Sequence, residues 1–547
     1  MNSFKVLGFV TILLFGSFLY LFKIGEIPNG LGYDEVASGY NAYSLLLTGK
    51  DEYGKSFPFA FRFSNTYSPP LYTYLTVPMI ALFDLSITST RMVSVISGVF
   101  SIIIVFLVLK KMSITQNKTV PYLGMLLYTI SPWTIMYSRS GYEAMLSFFI
   151  YAVGILFVWE GFKKPLFLTF GIIVLSISTY ASHTNRFLVP LLLLGLFILF
   201  KDTFLNIRNR RFIVSGLLCA LIIQIPNLFL LTTQSFFVKS NLFYSELLVS
   251  EYEKIRHTSP FFIGIPYLFG REFLAQYLTY FSPRSLFLDA DPLPFRSIPN
   301  LSVFYSWMFI PYLVGLYVAW KNRRLINYRY LLLITLIAPI PAALTKDPFW
   351  TYRAIPLLLP LIIIISIGID KILNLRIAKA TLLLSFLIFA SFILLWKGYF
   401  LLLSKERAKD WGYGYKQLAQ NIILDKNETF IVDNIRNHLT YLQLAFFMKL
   451  PPEILHKSIG NNIKNNYYKA PDTPSNYSFA NVEVRSIYWQ KDVHEESILV
   501  GDELTFSEKQ IIEHGLKKIF EIRDPLDKVL FLGYKTNPAF KAYQERQ

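Results

Sequence analysis

Apolar residues gather along this chain in blocks of about 16 to 22, separated by short charged connectors. At 1.5 Å per helical residue such blocks are long enough to cross a bilayer, whereas a soluble core would show shorter, periodic stripes. The pattern predicts spans near 6–22, 88–109, 119–137, 144–161, 165–181, 187–200, 212–231, 302–320, 330–345, 354–370 and 380–397, about eleven in all. The first block follows Lys5, lacks a small-residue cleavage site and is long for a signal-peptide core. It is therefore expected to remain as a first span with a cytoplasmic N-terminus.

The connectors alternate in character. One set carries Lys110, Lys111 and Lys118, then Lys163 and Lys164, then Lys201 and Arg208 to Arg211, then Lys321 to Arg329, then Lys371 to Lys379. The excess of Lys and Arg marks this set as cytoplasmic. The other set faces outward: a long first loop at 23–87, turns at 138–143, 182–186 and 346–353, a loop at 232–301, and everything after about 398. Within the first loop, 35–48 and 69–84 read as helices lying at the membrane interface, where Tyr40, Tyr43, Tyr72 and Tyr74 would sit well. The expected organisation is a transmembrane domain over 1–397 that includes the first loop, and an extracytoplasmic soluble α/β domain over 398–547. In the latter, 414–424 and 438–449 read as helices, and 429–432, 517–522 and 528–533 as strands.

Composition changes this picture little. The chain has 547 residues, 53% of them hydrophobic, and a net charge of +17 that lies mainly in the connectors. The basicity is thus topological, and nothing beyond net charge points to nucleic acid. Cys219 is the single cysteine, which rules out an intrachain disulfide.

The ionisable residues that topology does not explain fall on the outer side. Asp34 and Glu35 open a helix in the first loop; Arg139 and Glu143, His183 and Arg186, and Lys346, Asp347 and Arg353 sit at the outer ends of later spans. Ionisable groups at membrane boundaries are costly unless hydrated, paired or used, and four segments supplying them to one side suggest a shared pocket. Plainer accounts stay open: Arg139 and Glu143 as an i,i+4 ion pair, His183 as a turn residue, Lys346 and Asp347 as a solvated turn, and Asp34 or Glu35 as a helix cap. Capping accounts for one acid and leaves the other over.

The run Ile27-Pro28-Asn29-Gly30-Leu31-Gly32-Tyr33-Asp34-Glu35 is followed by Gly39-Tyr40-Asn41-Ala42-Tyr43 and by Thr48-Gly49-Lys50-Asp51-Glu52-Tyr53-Gly54. Together these resemble the first outer loop of bacterial membrane glycosyltransferases of the C-type fold, in the branch related to dolichyl-phosphate-mannose protein mannosyltransferases and the lipid A aminoarabinose transferase. Further likeness lies in Ser68-Pro69-Pro70-Leu71-Tyr72, in Arg91, in Ser131-Pro132-Trp133 with Ser138 to Glu143, and in Tyr180 to His183 with Arg186. It covers roughly residues 1–400. The resemblance implies a mainly α, polytopic fold and transfer of a hexosyl or pentosyl group from a polyprenyl-phosphate donor to a hydroxyl acceptor on protein, lipid or envelope glycan. It implies Asp34 as catalytic base, with Glu35 supporting its position or the charge of the site. Arg353, Arg186 and Arg139 are the candidates for gripping the donor phosphate, since guanidinium forks match phosphate oxygens. No cofactor is required, though a divalent metal is compatible with the chemistry. The alternative class is a transporter or flippase for a lipid-linked saccharide, which would favour broken helices and charges near span midpoints.

Overall fold

A computed structural model describes residues 3–547 except 65, 113, 115–116, 234, 236–244, 258–259, 346, 376–378, 470–475, 545 and 547. By internal contacts the chain forms two compact units. One comprises Met1–Phe22, Ser68–Tyr72 and Val93–Tyr399; the other comprises Lys23–Tyr67, Thr73–Met92 and Phe400–Gln547. The first outer loop, expected with the membrane part, therefore groups mostly with the C-terminal segment.

In the first unit every expected span is helical, but five of the described helices are long and apolar enough to cross a membrane, or six if one bent pair counts as a single span. The five are Ile87–Met112, Ala144–Gly161, Ile326–Ala343, Ile355–Leu373 and Ala380–Glu406. In two places the shortfall has a local cause in proline. The block expected at 119–137 divides into Val120–Ile130 and Pro132–Ser138, with Ser131 extended between them (φ −62°, ψ 132°). Proline lacks the N–H that would continue the helix and pushes the residue before it out of the α region. The block at 212–231 bends by 53° where Ile207–Ile223 meets Ile225–Leu231, beside Pro226. There the side chain of Gln224 donates to the carbonyl and hydroxyl of Ser176, and that of Asn227 donates to the Thr179 hydroxyl. The amide donors at the bend are thus paired by the neighbouring helix. The segment at 232–301, expected as a loop, contains the helix Phe261–Thr279, whose Phe261, Phe262, Ile263 and Tyr267 are exposed.

Of the five long apolar helices Ile355–Leu373 is the most enclosed. It lies against Phe309–Lys321 at van der Waals distance: a Cβ on Gly368 would stand 1.8 Å from the carbonyl oxygen of Pro311. Small residues permit such backbone approach, which is how helices gain contact where lipid offers no hydrophobic drive. By contrast Ala380–Leu395 exposes Leu382, Leu383, Phe386 and Phe389, the outward apolar surface expected of a lipid-facing helix. The chain is a mainly helical, polytopic membrane protein.

The second unit is built on a six-stranded mixed sheet. With β1 (Phe61–Phe63) and β2 (Thr66–Ser68) forming a separate pair, its strands are β3 (Phe430–Val432), β4 (Tyr477–Phe479), β5 (Val482–Val484), β6 (Ile498–Gly501), β7 (Lys517–Arg523) and β8 (Val529–Lys535), in the order β4-β5-β3-β6-β8-β7. β3 runs parallel to β5 and β6, while the outer pairings are antiparallel. Ile431, Leu499, Phe506, Leu516 and Tyr534 form a core on one face. The expected helices and three strands are present as Tyr415–Leu424, Thr440–Phe447, β3, β7 and β8.

The helix Tyr33–Thr48 corrects one detail: Tyr40, expected at a membrane interface, is fully buried and its hydroxyl donates to the Leu450 carbonyl at 2.8 Å, while Leu46 and Leu47 in the last turn are exposed. Leu71–Phe83 is 13 residues long and contains Pro78, about 20 Å of helix and, as expected, too short to span.

Candidate functional site

The two acids of the first loop have opposite environments. Glu35 is fully buried and Asp34, one residue earlier, is exposed. Gly32 precedes the helix, and its N–H donates to Glu35 Oε2 at 2.8 Å, so Glu35 reaches back to cap the first turn as the acidic half of a capping box does. The same carboxylate receives Arg91 bidentately, Nε to Oε1 at 2.9 Å and Nη2 to Oε2 at 3.1 Å, with both side chains fully enclosed. Arg91 spends its remaining donors on the loop backbone: Nη1 on the carbonyls of Ile24 and Pro28, both at 2.9 Å, and Nη2 on that of Gly30 at 2.6 Å. Gly30 has φ +152°, and a Cβ there would meet the Trp411 carbonyl at 2.1 Å, so only glycine fits. The effect is a rigid mount. Glu35 and Arg91 fix the turn Ile24–Gly32 and the start of the helix, and Asp34 projects from that fixed first turn.

Deeper in the same unit Asp51 and Glu52 are buried together. Tyr467 and the N–H groups of Tyr53 and Lys55 donate to Asp51, at 2.5, 3.0 and 2.8 Å. Asn41 and Tyr441 donate to Glu52 at 3.1 and 2.9 Å. Burial, opposed only partly by those bonds, raises the Asp51 carboxyl to about 6 and that of Glu52 to about 8. These two acids are a structural core and are closed to solvent.

The other predicted residues belong to the membrane unit. Arg139 is fully buried, and its guanidinium donates to the carbonyls of Leu19 and Tyr20 at 2.8 and 2.9 Å and of Phe22 at 2.7 Å. These are the terminal acceptors of the first helix, Ser3–Leu21, so Arg139 works as its C-terminal clamp. Glu143 precedes the helix Ala144–Gly161, is 4% exposed, and accepts from the Tyr352 hydroxyl. His183 opens the helix His183–Leu199, half-buried, behind the capping Ser182. Arg186 lies in the same turn and donates to the Thr179 carbonyl at 3.3 Å. Lys346 lies outside the described residues; Asp347 is half-buried.

Arg353 is half-buried in the turn before Ile355–Leu373, its guanidinium 3.9 Å from the centre of the Trp350 ring. Burial pulls its value below that of ordinary arginine, with Asp347 among the groups acting the other way. Sequence reasoning missed a second cation here. Arg296 lies 4.6 Å from the same indole, is 5% exposed, and pairs through Nη2 with Asp291 at 3.2 Å. Its Nε and Nη1 are buried without a hydrogen-bond partner among the described residues. Asp291 in turn accepts from the N–H and hydroxyl of Thr351, at 3.2 and 2.6 Å. The turn 350–353 therefore collects Glu143, Asp291, Arg296 and Arg353 around one backbone segment. Asp291-Pro292-Leu293-Pro294-Phe295-Arg296, a proline-stiffened run with two charges, was the available signal. Among the described residues no group of three His, Cys, Asp or Glu could hold a metal ion, and no step is derived through one.

No family profile and no curated protein sequence matches the chain. Solved structures do. ArnT from Cupriavidus metallidurans, bound to undecaprenyl phosphate, aligns at TM-score 0.55 and 12% identity over 97% of this chain and 98% of its own; its apo state gives the same values. The apo oligosaccharyltransferase of Archaeoglobus fulgidus aligns at TM-score 0.50 and 11% identity over 98% of this chain and 75% of its own. This chain therefore has the C-type glycosyltransferase fold that those two membrane proteins share.

Proposed function

We propose that the protein transfers a sugar from a polyprenyl-phosphate donor to a hydroxyl acceptor at the outer face of the membrane, with inversion at the anomeric carbon. The observation that carries this reading is the pairing of an exposed Asp34 with a buried, doubly anchored Glu35 on one helical turn. A base must be accessible and still, and the Glu35–Arg91 mount supplies the stillness. The acceptor oxygen attacks the anomeric carbon as Asp34 takes its proton; the bond from that carbon to the phosphate oxygen breaks, and polyprenyl phosphate leaves with the electron pair. Phosphate is a competent leaving group, so the remaining task is to bind its charge. Arg353 and Arg296 take that role here, because Arg296 has two buried donors without a hydrogen-bond partner among the described residues and Arg353 shares its indole. Arg186 is a further candidate, whereas Arg139 is assigned to folding because its bonds go to helix-end carbonyls.

Undecaprenyl phosphate in the ArnT structure supports the donor class for this chain. The transporter reading asked for broken helices carrying charge; the bend at Gln224 carries amides paired by Ser176 and Thr179 instead. The connector charges support a multi-pass arrangement with an outward C-terminal domain. A direct test incubates the purified protein in nanodiscs with radiolabelled polyprenyl-phosphate hexoses, pentoses and amino sugars, and with envelope extract. Release of polyprenyl phosphate coupled to label in the extract is expected; no turnover of any donor would refute the proposal.

A further inference from the structure

In the soluble sheet β3 and β6 are adjacent and parallel, yet the chain leaves them in opposite directions. After β3 it passes to β4 and β5 on one side, and after β6 to β7 and β8 on the other. Divergence of this kind opens a crevice beyond the carboxyl ends of the two strands, the usual place for a ligand in an open α/β sheet. A cavity of about 280 Å³ lies there. Asp433, Arg436 and Asn437 follow β3 and line it, and Gly501 and Asp502 come from the end of β6. Leu31, Gly32 and Tyr33 also line it, and Asp34 is the next residue along the chain.

The lining suits one kind of occupant. Arg436 is neutralised by Asp502, Nε to Oδ2 at 2.6 Å and Nη2 to Oδ1 at 2.5 Å, so the cavity offers no spare guanidinium to an anion. Lys409 and Arg436 are outnumbered by Asp410, Asp433 and Asp502, and phosphate would meet net repulsion. A string of polar groups, Asn437 to the Tyr415 hydroxyl and that hydroxyl to Thr440 at 3.1 Å, runs along the cavity beside the aromatic side chains of Tyr33, Tyr413 and Phe531. Asp433 is the telling group. Its side chain is 4% exposed, yet its neighbours stand far off: Thr505 Oγ1 at 3.4 Å, the Ile435 N–H at 3.5 Å and Arg436 at 3.8 Å. A buried carboxylate ordinarily has short hydrogen bonds, and this one has room for a donor from the cavity. Carboxylates and amides that meet hydroxyls, beside aromatic rings that meet C–H faces, describe a site for a sugar ring. The volume lies just below the roughly 300–1,000 Å³ found for small-molecule pockets, enough for a ring and too small for a polymer.

We propose that this cavity binds a neutral, polyhydroxylated acceptor group, a saccharide ring, and presents one of its hydroxyls to Asp34. The inference rests on the reading of Asp34 as base, and it narrows the acceptor class from protein, lipid or glycan to glycan. The test uses the full-length protein in nanodiscs, with saturation-transfer NMR against methyl glycosides of a hexose, a pentose, an acetamido sugar and a uronic acid. At least one should bind wild type, and Asp433→Asn and Asn437→Ala should each weaken it about fivefold or more. Asp433→Asn is nearly isosteric, and melting temperatures show that both variants are folded. Binding of none of the glycosides, or equal binding by wild type and Asp433→Asn, overturns the cavity assignment. The donor-turnover assay is read separately. Glycoside binding that survives Asp34→Asn while transfer is lost supports both readings; binding with transfer unchanged in Asp34→Asn removes the base and leaves no reason to call the sugar an acceptor.

Discussion

Replacing Arg91 by alanine perturbs the mount of Asp34 more than it perturbs any other part of the protein. The guanidinium is fully enclosed and holds five acceptors: both oxygens of Glu35 and the carbonyls of Ile24, Pro28 and Gly30. Its loss takes from the buried Glu35 carboxylate its bidentate guanidinium partner, while the Gly32 N–H still donates to it. Removing one partner of a buried pair costs about 3–5 kcal/mol, chiefly through the charge left behind. For a unit of roughly 200 residues each kcal/mol moves the melting temperature by about 2–4 °C, so Arg91→Ala should lower it by about 6–20 °C. Differential scanning of the purified protein in nanodiscs reads this directly. Adding Glu35→Gln to Arg91→Ala should recover part of the loss, because the orphaned charge disappears while the capping oxygen remains. A shift below about 2 °C in Arg91→Ala, or a double variant no better than the single one, would refute the reasoning.

Three further outcomes are expected. Because burial raises Glu52 to about 8, the folded protein binds a proton that the unfolded chain has released from about pH 4.5 upward. Stability attached to this group is therefore greatest below about pH 4.5 and declines as pH rises towards 8; Glu52→Gln should flatten the fall in melting temperature between pH 5 and 9, and an unchanged slope would contradict it. Arg353→Gln should raise the donor KM about tenfold with a smaller change in kcat, as loss of a charge-assisted phosphate contact requires; a change confined to melting temperature would count against that role. Arg139→Lys cannot reach the three carbonyls that Arg139 clamps, so it should lower the melting temperature by several degrees and leave donor KM within about twofold.

Much of the membrane part was readable because its signal is local. Apolar length located the helices outside 232–301, and the interruptions at Pro132 and Pro226 stand in the sequence as plainly as the blocks they divide. The first-loop motif located Asp34 and Glu35, but adjacency on one turn made them indistinguishable. Only the distant Arg91, 56 residues from Glu35, separates them, and no periodicity links residues that far apart. Tyr40 was misread because an amphipathic helix facing protein and one facing a membrane surface have the same pattern. The strands β4, β5 and β6 are three or four residues long, too short for alternation to register. Asp433 and Asp502 gained their meaning only from the sheet order, since β3 and β6 are neighbours across about 66 residues of chain.

The central claim is that Asp34 is the base and Glu35 its support. Membranes carrying wild type, Asp34→Asn or Glu35→Gln, matched for folded protein by fluorescence-detected chromatography, can be assayed for transfer of radiolabelled sugar from a polyprenyl-phosphate donor. Asp34→Asn should lose at least about 100-fold in kcat at an unchanged melting temperature, the scale of a missing general base, while Glu35→Gln should lower the melting temperature and retain measurable turnover. Transfer by Asp34→Asn at the wild-type rate would contradict the account.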